Sequence, residues 1–468
     1  MAERGAATSE LLVIFGITGD LARKMTFRAL YRLERRNLLD CPILGVASDD
    51  ISVEDLVDRA GEAIRKTGEP FDDAVFDRLA KRLSYLHGDV NDAALYDQIA
   101  QRTGTDRQCL YYLEMPPSLF APIVENLGRA GLLTRARVAV EKPFGHDLTS
   151  ARELNARLRA VLREEQILRV DHFLGKEPVA DVEGLRFANT TLAELWDRRS
   201  IAEIHITMAE NFGVEDRGSF YDSVGALRDV VQNHLLQVLA LIAMEPPVGP
   251  GDDDLNDKKA EVFRAMPPAD PAHCVRGRYR GYADVPGVAD GSQTETFVAL
   301  RLQIENWRWS GVPIFLRAGK ALPQRVTEVR LFTHRVPALA FMPQRERAPR
   351  NQIVLRIDPD PGMRLQLVAQ DDGVWRDVHL DSSFTHDLGE PIQPYERLLH
   401  AAMVGDRRLF AREDSIEETW RIVAPLLEHP GVVHTYEPGS WGPDAAQALV
   451  RGHRSWQDPW LPEGGPTQ

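Results

Sequence analysis

Cysteine is scarce: Cys41, Cys109 and Cys274 are the only three in 468 residues, and none stands at a CxxC or metal-ligand spacing. That usage points to reduced thiols in a cytoplasmic protein. Long apolar runs are missing as well. Leu235 to Met244 is about half a membrane span, and Leu11 to Phe15 is too short for the core of a secretory signal. Positive charge is in deficit, with 56 Lys and Arg against 70 Asp and Glu and a net charge of −14. This balance argues against nucleic acid or an anionic membrane as main partner. An anionic small substrate would need a local basic pocket. Repeats and low-complexity tracts are also absent.

What is present is the composition of a soluble globular protein, 43% hydrophobic and 27% charged, in a chain too long for one ordinary core. The expected division is a dinucleotide-binding domain over 1–176 and a β+α substrate and dimerisation domain over 177–468. Leu11 to Phe15 reads as a strand buried on both faces. It breaks at Gly16-Ile17-Thr18-Gly19-Asp20-Leu21 into a helical pattern, and Pro42 to Ala47 completes a βαβ unit. Backbone N–H groups at such a turn can bind phosphate, although GxxGD spacing alone is equally an ordinary packing turn. Further strands are expected at Leu83 to His87, Gln108 to Leu113, Arg137 to Val140 and Ile167 to Val170. With helices between them they predict a Rossmann-like, doubly wound sheet.

Beyond Pro178 the texture changes. Glu203 to Met208 alternates as a half-buried strand does, and so does Phe297 to Ile304. Val312 to Arg317, Val329 to Phe332 and Ile353 to Ile357 continue the series. The expected fold class is therefore α/β plus α+β, the second part a large, mostly antiparallel sheet backed by helices. In Gly225 to Leu241, the residues Leu227, Val230, His234, Val238 and Leu241 share one face at α-helical spacing. On that face His234 reads first as a core histidine.

The most varied polar stretch is Arg169-Val170-Asp171-His172-Phe173-Leu174-Gly175-Lys176-Glu177, a strand running into a carboxylate, an imidazole and an ammonium. Alone it is either a charged turn or a site for an anionic ligand at a strand end. Together with Gly16 to Lys24, Glu141-Lys142-Pro143-Phe144-Gly145, Arg228 to His234, Arg317-Ala318-Gly319-Lys320 and Gly439 to Pro443, it resembles glucose-6-phosphate dehydrogenase over nearly the whole chain.

That resemblance implies oxidation of glucose 6-phosphate at C1 to 6-phosphogluconolactone, with hydride passed to a nicotinamide dinucleotide and no metal. It implies His234 as general base and Asp171 as the carboxylate orienting it. His172 and Lys176 would take the phosphate, Glu210 and Asp229 sugar hydroxyls, and Lys320 the ring or phosphate end. Arg325 is a further substrate contact. Lys142 would bridge substrate and coenzyme, with Pro143 after a cis bond. Gly16, Thr18, Gly19, Asp20, Leu21, Ser48, Asp49 and Tyr112 would line the coenzyme.

Two departures stand out. Phe173 occupies a place where the family usually has Tyr, which removes a hydroxyl contact to phosphate worth about 1.5–3 kcal/mol. Ser48-Asp49-Asp50 stands where an arginine commonly grips the 2′-phosphate of NADP, the family default. An acid there normally holds the ribose of NAD, so NAD use at least equal to NADP use is expected. A homodimer or dimer of dimers is the expected assembly. The competing class is a non-catalytic sugar-phosphate or redox sensor with the same fold.

Overall fold

The computed structural model describes residues 8–337, 350–372 and 374–461. The chain divides into two compact units. The first runs to Glu177 and takes back Pro247–Asp257 and Ile392–Glu417; the second holds Pro178–Pro246, Lys258–Pro391 and the chain from Glu418 on.

The first unit is built on β1 (Leu11–Phe15), β2 (Ile43–Ala47), β3 (Leu83–His87), β4 (Cys109–Leu113), β5 (Arg137–Glu141) and β6 (Ile167–Val170). Their order is β6-β5-β4-β1-β2-β3, all parallel, with a two-residue strand, Phe410–Ala411, antiparallel along β6. Every residue of β1, β2, β4, β5 and β6 is buried, which is why they read as unbroken apolar runs rather than alternating ones. The order reverses between β1 and β4, and ligands of such sheets collect beyond the carboxyl ends at that crevice. Residues 392–417 return to this unit, where Tyr395, Leu398 and Leu399 of the helix Pro394–Val404 join the core that Leu30 and Tyr31 share.

The second unit carries a nine-stranded sheet. Its members include β7 (Ile201–Ala209), β8 (Cys274–Tyr279), β9 (Phe297–Leu302), β10 (Ile314–Gly319), β11 (Val326–Thr333), β12 (Gln352–Asp358), β13 (Gly362–Asp371) and β14 (Val374–Ser383). The order is β14-β13-β12-β11-β7-β10-β9-β8 followed by Val433–Tyr436. Pairing is antiparallel except where β7 meets β10 and where β8 meets the last strand. The long hairpin β13–β14 adds to the expected strands; Leu365 and Leu367 alternate with polar residues and pair with Leu380 and Val378, yet much of the hairpin is exposed.

The expectation of one α-helical stripe through Gly225 to Leu241 needs correction. Leu227–Leu235 is wound as a π-helix before an α-helix resumes at Leu236–Ala243. Leu227, His234, Val238 and Leu241 of the expected stripe are buried, whereas Val230 is only half-buried and Val231 takes the inward place.

Candidate active site

In the first unit, β1 delivers the chain into the turn at Gly16. This residue has φ +83°, and a Cβ there would strike the backbone carbonyl of Glu114, so only glycine fits. Gly19 N–H donates to Gly16 O at 2.8 Å and Arg23 N–H to Gly19 O at 3.2 Å, which starts the helical winding immediately after the turn. Thr18, Asp20 and Leu21 sit on this turn. The exposed Asp20 carboxylate is held by Arg23 and lies 3.9 Å from Lys24.

Ser48 and Asp49 follow β2 and are exposed. Asp49 meets Arg59 at 3.4 Å. Arg59 is carried by the helix Val53–Arg65, whose start is fixed by a reciprocal Ser52–Asp55 capping box. Between the glycine turn and that helix opens a cavity of about 590 Å³ lined by Thr18, Arg23, Lys24, Arg59, Glu62 and Lys66. Arg59 and Lys66 are absent from the sequence-based set; their one signal is that they stand seven residues apart, and so on one helical face.

Parallel register sets Glu141 beside Val170, so Lys142 and Asp171 leave adjacent strand ends. The Lys142–Pro143 bond is cis. Asp171 is buried and accepts the N–H of Phe173 at 2.9 Å. Successive tight turns follow, with Leu174 N–H to Asp171 O, Gly175 N–H to His172 O and Lys176 N–H to Phe173 O. The Phe173 ring is the floor of this turn. Lys176 Nζ lies 4.1 Å from its centroid, and His172 meets it edge-on at 5.1 Å. A hydroxyl is absent from Phe173, but its ring gathers the Lys176 ammonium and the His172 imidazole.

The returning segment buttresses this turn. Tyr395 stacks on His172 at 6.4 Å, Arg397 donates to Gly175 O at 3.0 Å, and Ile392 N–H donates to the Glu177 carboxylate at 2.7 Å. A Cβ on Gly175 would come within 2.7 Å of Pro394 O. Sequence reasoning passed over Tyr395 and Arg397, because nothing local marks residues more than two hundred positions downstream as neighbours. Tyr112 is buried, and its hydroxyl donates to the Glu141 carboxylate, facing inward from the strand end.

In the second unit, Glu210 and Lys320 come together. The parallel pairing of β7 and β10 sets Ala209 opposite Gly319, so the next residues leave one end of the sheet side by side. Lys320 Nζ donates to the Glu210 carboxylate and lies 5.0 Å from the Phe212 ring and 5.3 Å from that of Tyr221. Burial, and then the charge of Asp229, pushes the Tyr221 hydroxyl well above its ordinary pKa. Asp229 is half-buried on the π-helix and His234 is buried there. Gly225, at φ +70°, lets Glu295 approach closely enough to cap this helix: Leu227 N–H donates to Glu295 Oε1 at 2.9 Å, and Arg276 pairs with Oε2 at 2.7 Å. Arg325 is exposed and bonds Asp358 at 3.0 Å.

A glycine turn opening a helix at the reversal point of a parallel sheet, with cations gathered beside it, defines a dinucleotide-binding α/β protein, and its residues fit such a group. Comparison with known proteins makes this specific. Residues 13–181 match the family model for the glucose-6-phosphate dehydrogenase NAD binding domain, and residues 183–457 match that for the C-terminal domain. The chain belongs to the glucose-6-phosphate dehydrogenase family. It is 74% identical over 464 residues to glucose-6-phosphate 1-dehydrogenase 1 of Mycobacterium tuberculosis, covering 99% of each chain. The crystal structure of glucose-6-phosphate 1-dehydrogenase from Mycobacterium avium superposes with a TM-score of 0.93 at 73% identity, covering 97% of this chain and 99% of that one. A glucose-6-phosphate dehydrogenase in complex with its substrate glucose-6-phosphate superposes with a TM-score of 0.90 at 32% identity, covering 98% of this chain and 100% of that one. Among the described residues no helix is long and apolar enough to cross a membrane.

Proposed function

We propose that the protein oxidises glucose 6-phosphate at C1 to 6-phosphogluconolactone, the first step of the oxidative pentose phosphate pathway. The observation carrying this is a strand-end cluster of polar groups in each unit. One gathers His172 and Lys176 on the Phe173 ring, as a phosphate needs, and the other locks Lys320 to Glu210. His234 removes the C1 hydroxyl proton, and Asp171 orients the imidazole and stabilises the imidazolium as it forms. As the proton leaves oxygen, the C1–H bond breaks with its electron pair and C1=O forms. The nicotinamide, when bound, is the hydride acceptor. His172 and Lys176 hold the phosphate, Glu210 and Asp229 the sugar hydroxyls, and Lys142 spans substrate and coenzyme. Lys320 serves the ring or phosphate end, and Arg325 is a further substrate contact. The test is absorbance at 340 nm with glucose 6-phosphate, run separately with NAD and NADP; no turnover with either rejects the assignment.

Both coenzymes serve in this proposal. A carboxylate such as Asp49 repels each unit charge of a 2′-phosphate by roughly 3 kcal/mol at about 5 Å and an effective dielectric near 20. Four cations around the cavity oppose that, yet Arg23 and Lys24 already face Asp20, Arg59 faces Asp49, and Glu62 shares the lining. Four positive against three negative groups leave little to separate the coenzymes. The ratio of kcat/KM is expected to lie within about tenfold of unity, roughly 1.4 kcal/mol. NAD use at or above NADP use follows from Asp49, and Arg59→Ala is expected to depress NADP use selectively. The three unpaired cysteines, two of them buried, accord with a cytoplasmic setting.

A further inference from the structure

Behind the strand ends of the first unit lie two acids, the buried Glu141 and the half-buried Glu114, to which the chemistry above gives no task. Glu141 closes β5 and is buried. Its carboxylate accepts the hydroxyl of Tyr112 from β4 and that of Tyr395 from the helix Pro394–Val404. Glu114, just past β4, accepts from Thr26 Oγ1, while its Oε2 is shielded from solvent with no hydrogen-bond partner. Asp171 bears on Glu141 from the adjacent strand end, and Lys142 supplies the positive charge acting on it. Three carboxyls and two phenols thus crowd one water-poor region, from β4, β5, the end of β6 and the returning helix. Like charges so placed oppose one another's ionisation, and Glu114 and Glu141 are coupled in this way.

We propose that Glu141 is a positioning residue for the reaction: it takes and releases a proton in concert with Glu114, and once ionised it adds its charge to that of Asp171, on which the general base depends. Burial, with Asp171 adding to it and Tyr112 and Lys142 opposing, holds the Glu141 carboxyl up at about 7. Burial holds Glu114 up at about 8, Thr26 opposing and Glu141 adding. The phenols of Tyr112 and Tyr395 are pushed above their usual value, by burial first, and stay neutral donors to Glu141 throughout this range. Because Tyr395 also stacks on His172, and Lys142 is the residue after Glu141, the cluster reaches the groups given to phosphate and coenzyme. Added negative charge beside Asp171 stabilises an imidazolium, so turnover gains as the cluster ionises.

This inference rests on the proposed reaction and is tested with the full-length protein and Glu141→Gln, which preserves shape and a hydrogen-bond acceptor but not the ionisation. In the parent, the acid limb of the kcat/KM profile for glucose 6-phosphate is expected to be steeper than a single ionisation. In E141Q it becomes a single ionisation displaced to lower pH, and the high-pH plateau of kcat falls several-fold. Independently of turnover, infrared difference spectra across pH 6 to 9 are expected to lose the carbonyl band of a protonated carboxylic acid in the parent, and less of it in E141Q. Superimposable profiles overturn the proposal, and so does an infrared change in E141Q without a change in profile, since the proton is then a bystander. Should E141Q fail to fold, Tyr395→Phe retains the ring on His172 and carries the same two readouts. If the parent does not oxidise glucose 6-phosphate, the reaction assignment fails, while the infrared titration still reports on the cluster.

Discussion

Two buried histidines show how surroundings set a residue's task. His205 on β7 is a core histidine: its ring sits among Phe315, Phe332 and Trp456, and burial followed by nearby Arg317 holds its pKa down at about 3. His234 lies among the polar residues of a π-helix with Asp229. Replacing His234 by Asn is expected to lower kcat by about 10²–10⁴-fold with little change in glucose 6-phosphate affinity, as steady-state kinetics and calorimetric titration would show. Phe173→Leu removes the face that seats Lys176 and His172, a loss of about 1 kcal/mol. Its KM for glucose 6-phosphate should rise roughly 5-fold with kcat retained; an unchanged KM would deny the ring its part. Stability depends on pH through the acid cluster. The folded-state values of Glu114 and Glu141 are raised, so between the ordinary carboxyl pKa of about 4.5 and 7–8 the folded protein binds more protons than the unfolded chain. Their contribution is full below that window and is lost as pH rises through it. Melting temperature should therefore fall between pH 5 and 8, and fall less in E141Q.

At the scale of elements, two parts are held by groups distant in sequence. The start of the π-helix depends on the buried Glu295, which pairs with the half-buried Arg276. Glu295→Ala leaves the Leu227 N–H without its partner and takes the carboxylate from Arg276, whose guanidinium still donates to the carbonyls of Gln293 and Pro430, a destabilisation of about 1–3 kcal/mol. Denaturant titration is expected to show it, together with loss of activity, while Arg276→Met with Glu295→Met should recover much of the stability. The tail Arg454–Trp460 lies along the second unit's sheet. Arg317 of β10, Arg330 of β11 and Arg356 of β12 donate to the carbonyls of Gln457, Asp458 and Trp460 at 3.1, 2.6 and 3.2 Å, with Trp456 and Trp460 over the first and last guanidinium. Ending the chain after Ser455 uncovers three mostly buried arginines at once. A large drop in melting temperature is expected, and an unchanged one would mean that the tail is dispensable. The sequence marks this tail only as Trp-rich, because its partners are carbonyl groups that every residue possesses.

For the whole molecule, the exposed hairpin β13–β14 leaves an edge strand with Leu380 at 60% and Val374 at 46% exposure. Such an edge invites pairing with a second copy, in line with the homodimer or dimer of dimers expected from the sequence. Leu380→Lys with Val378→Lys should convert it to monomer in light scattering, and an unaltered mass would place the interface elsewhere. The strands around the parallel sheet were legible from residues alone, since burial on both faces leaves unbroken apolar runs such as Leu11 to Phe15. Ordered motifs such as Gly16 to Lys24 and Arg169 to Glu177 identified the family, because short-range spacing is what a glycine turn and a strand-end cluster require. Long-range packing decided the rest. The π-helical register of His234, the Tyr395 brace on His172, Arg59 and Lys66 at the cavity beside the glycine turn, and the acid cluster around Glu141 all arise from approaches between distant segments. Burial and neighbouring charge set those properties, and both belong to the folded chain rather than to any local pattern within it.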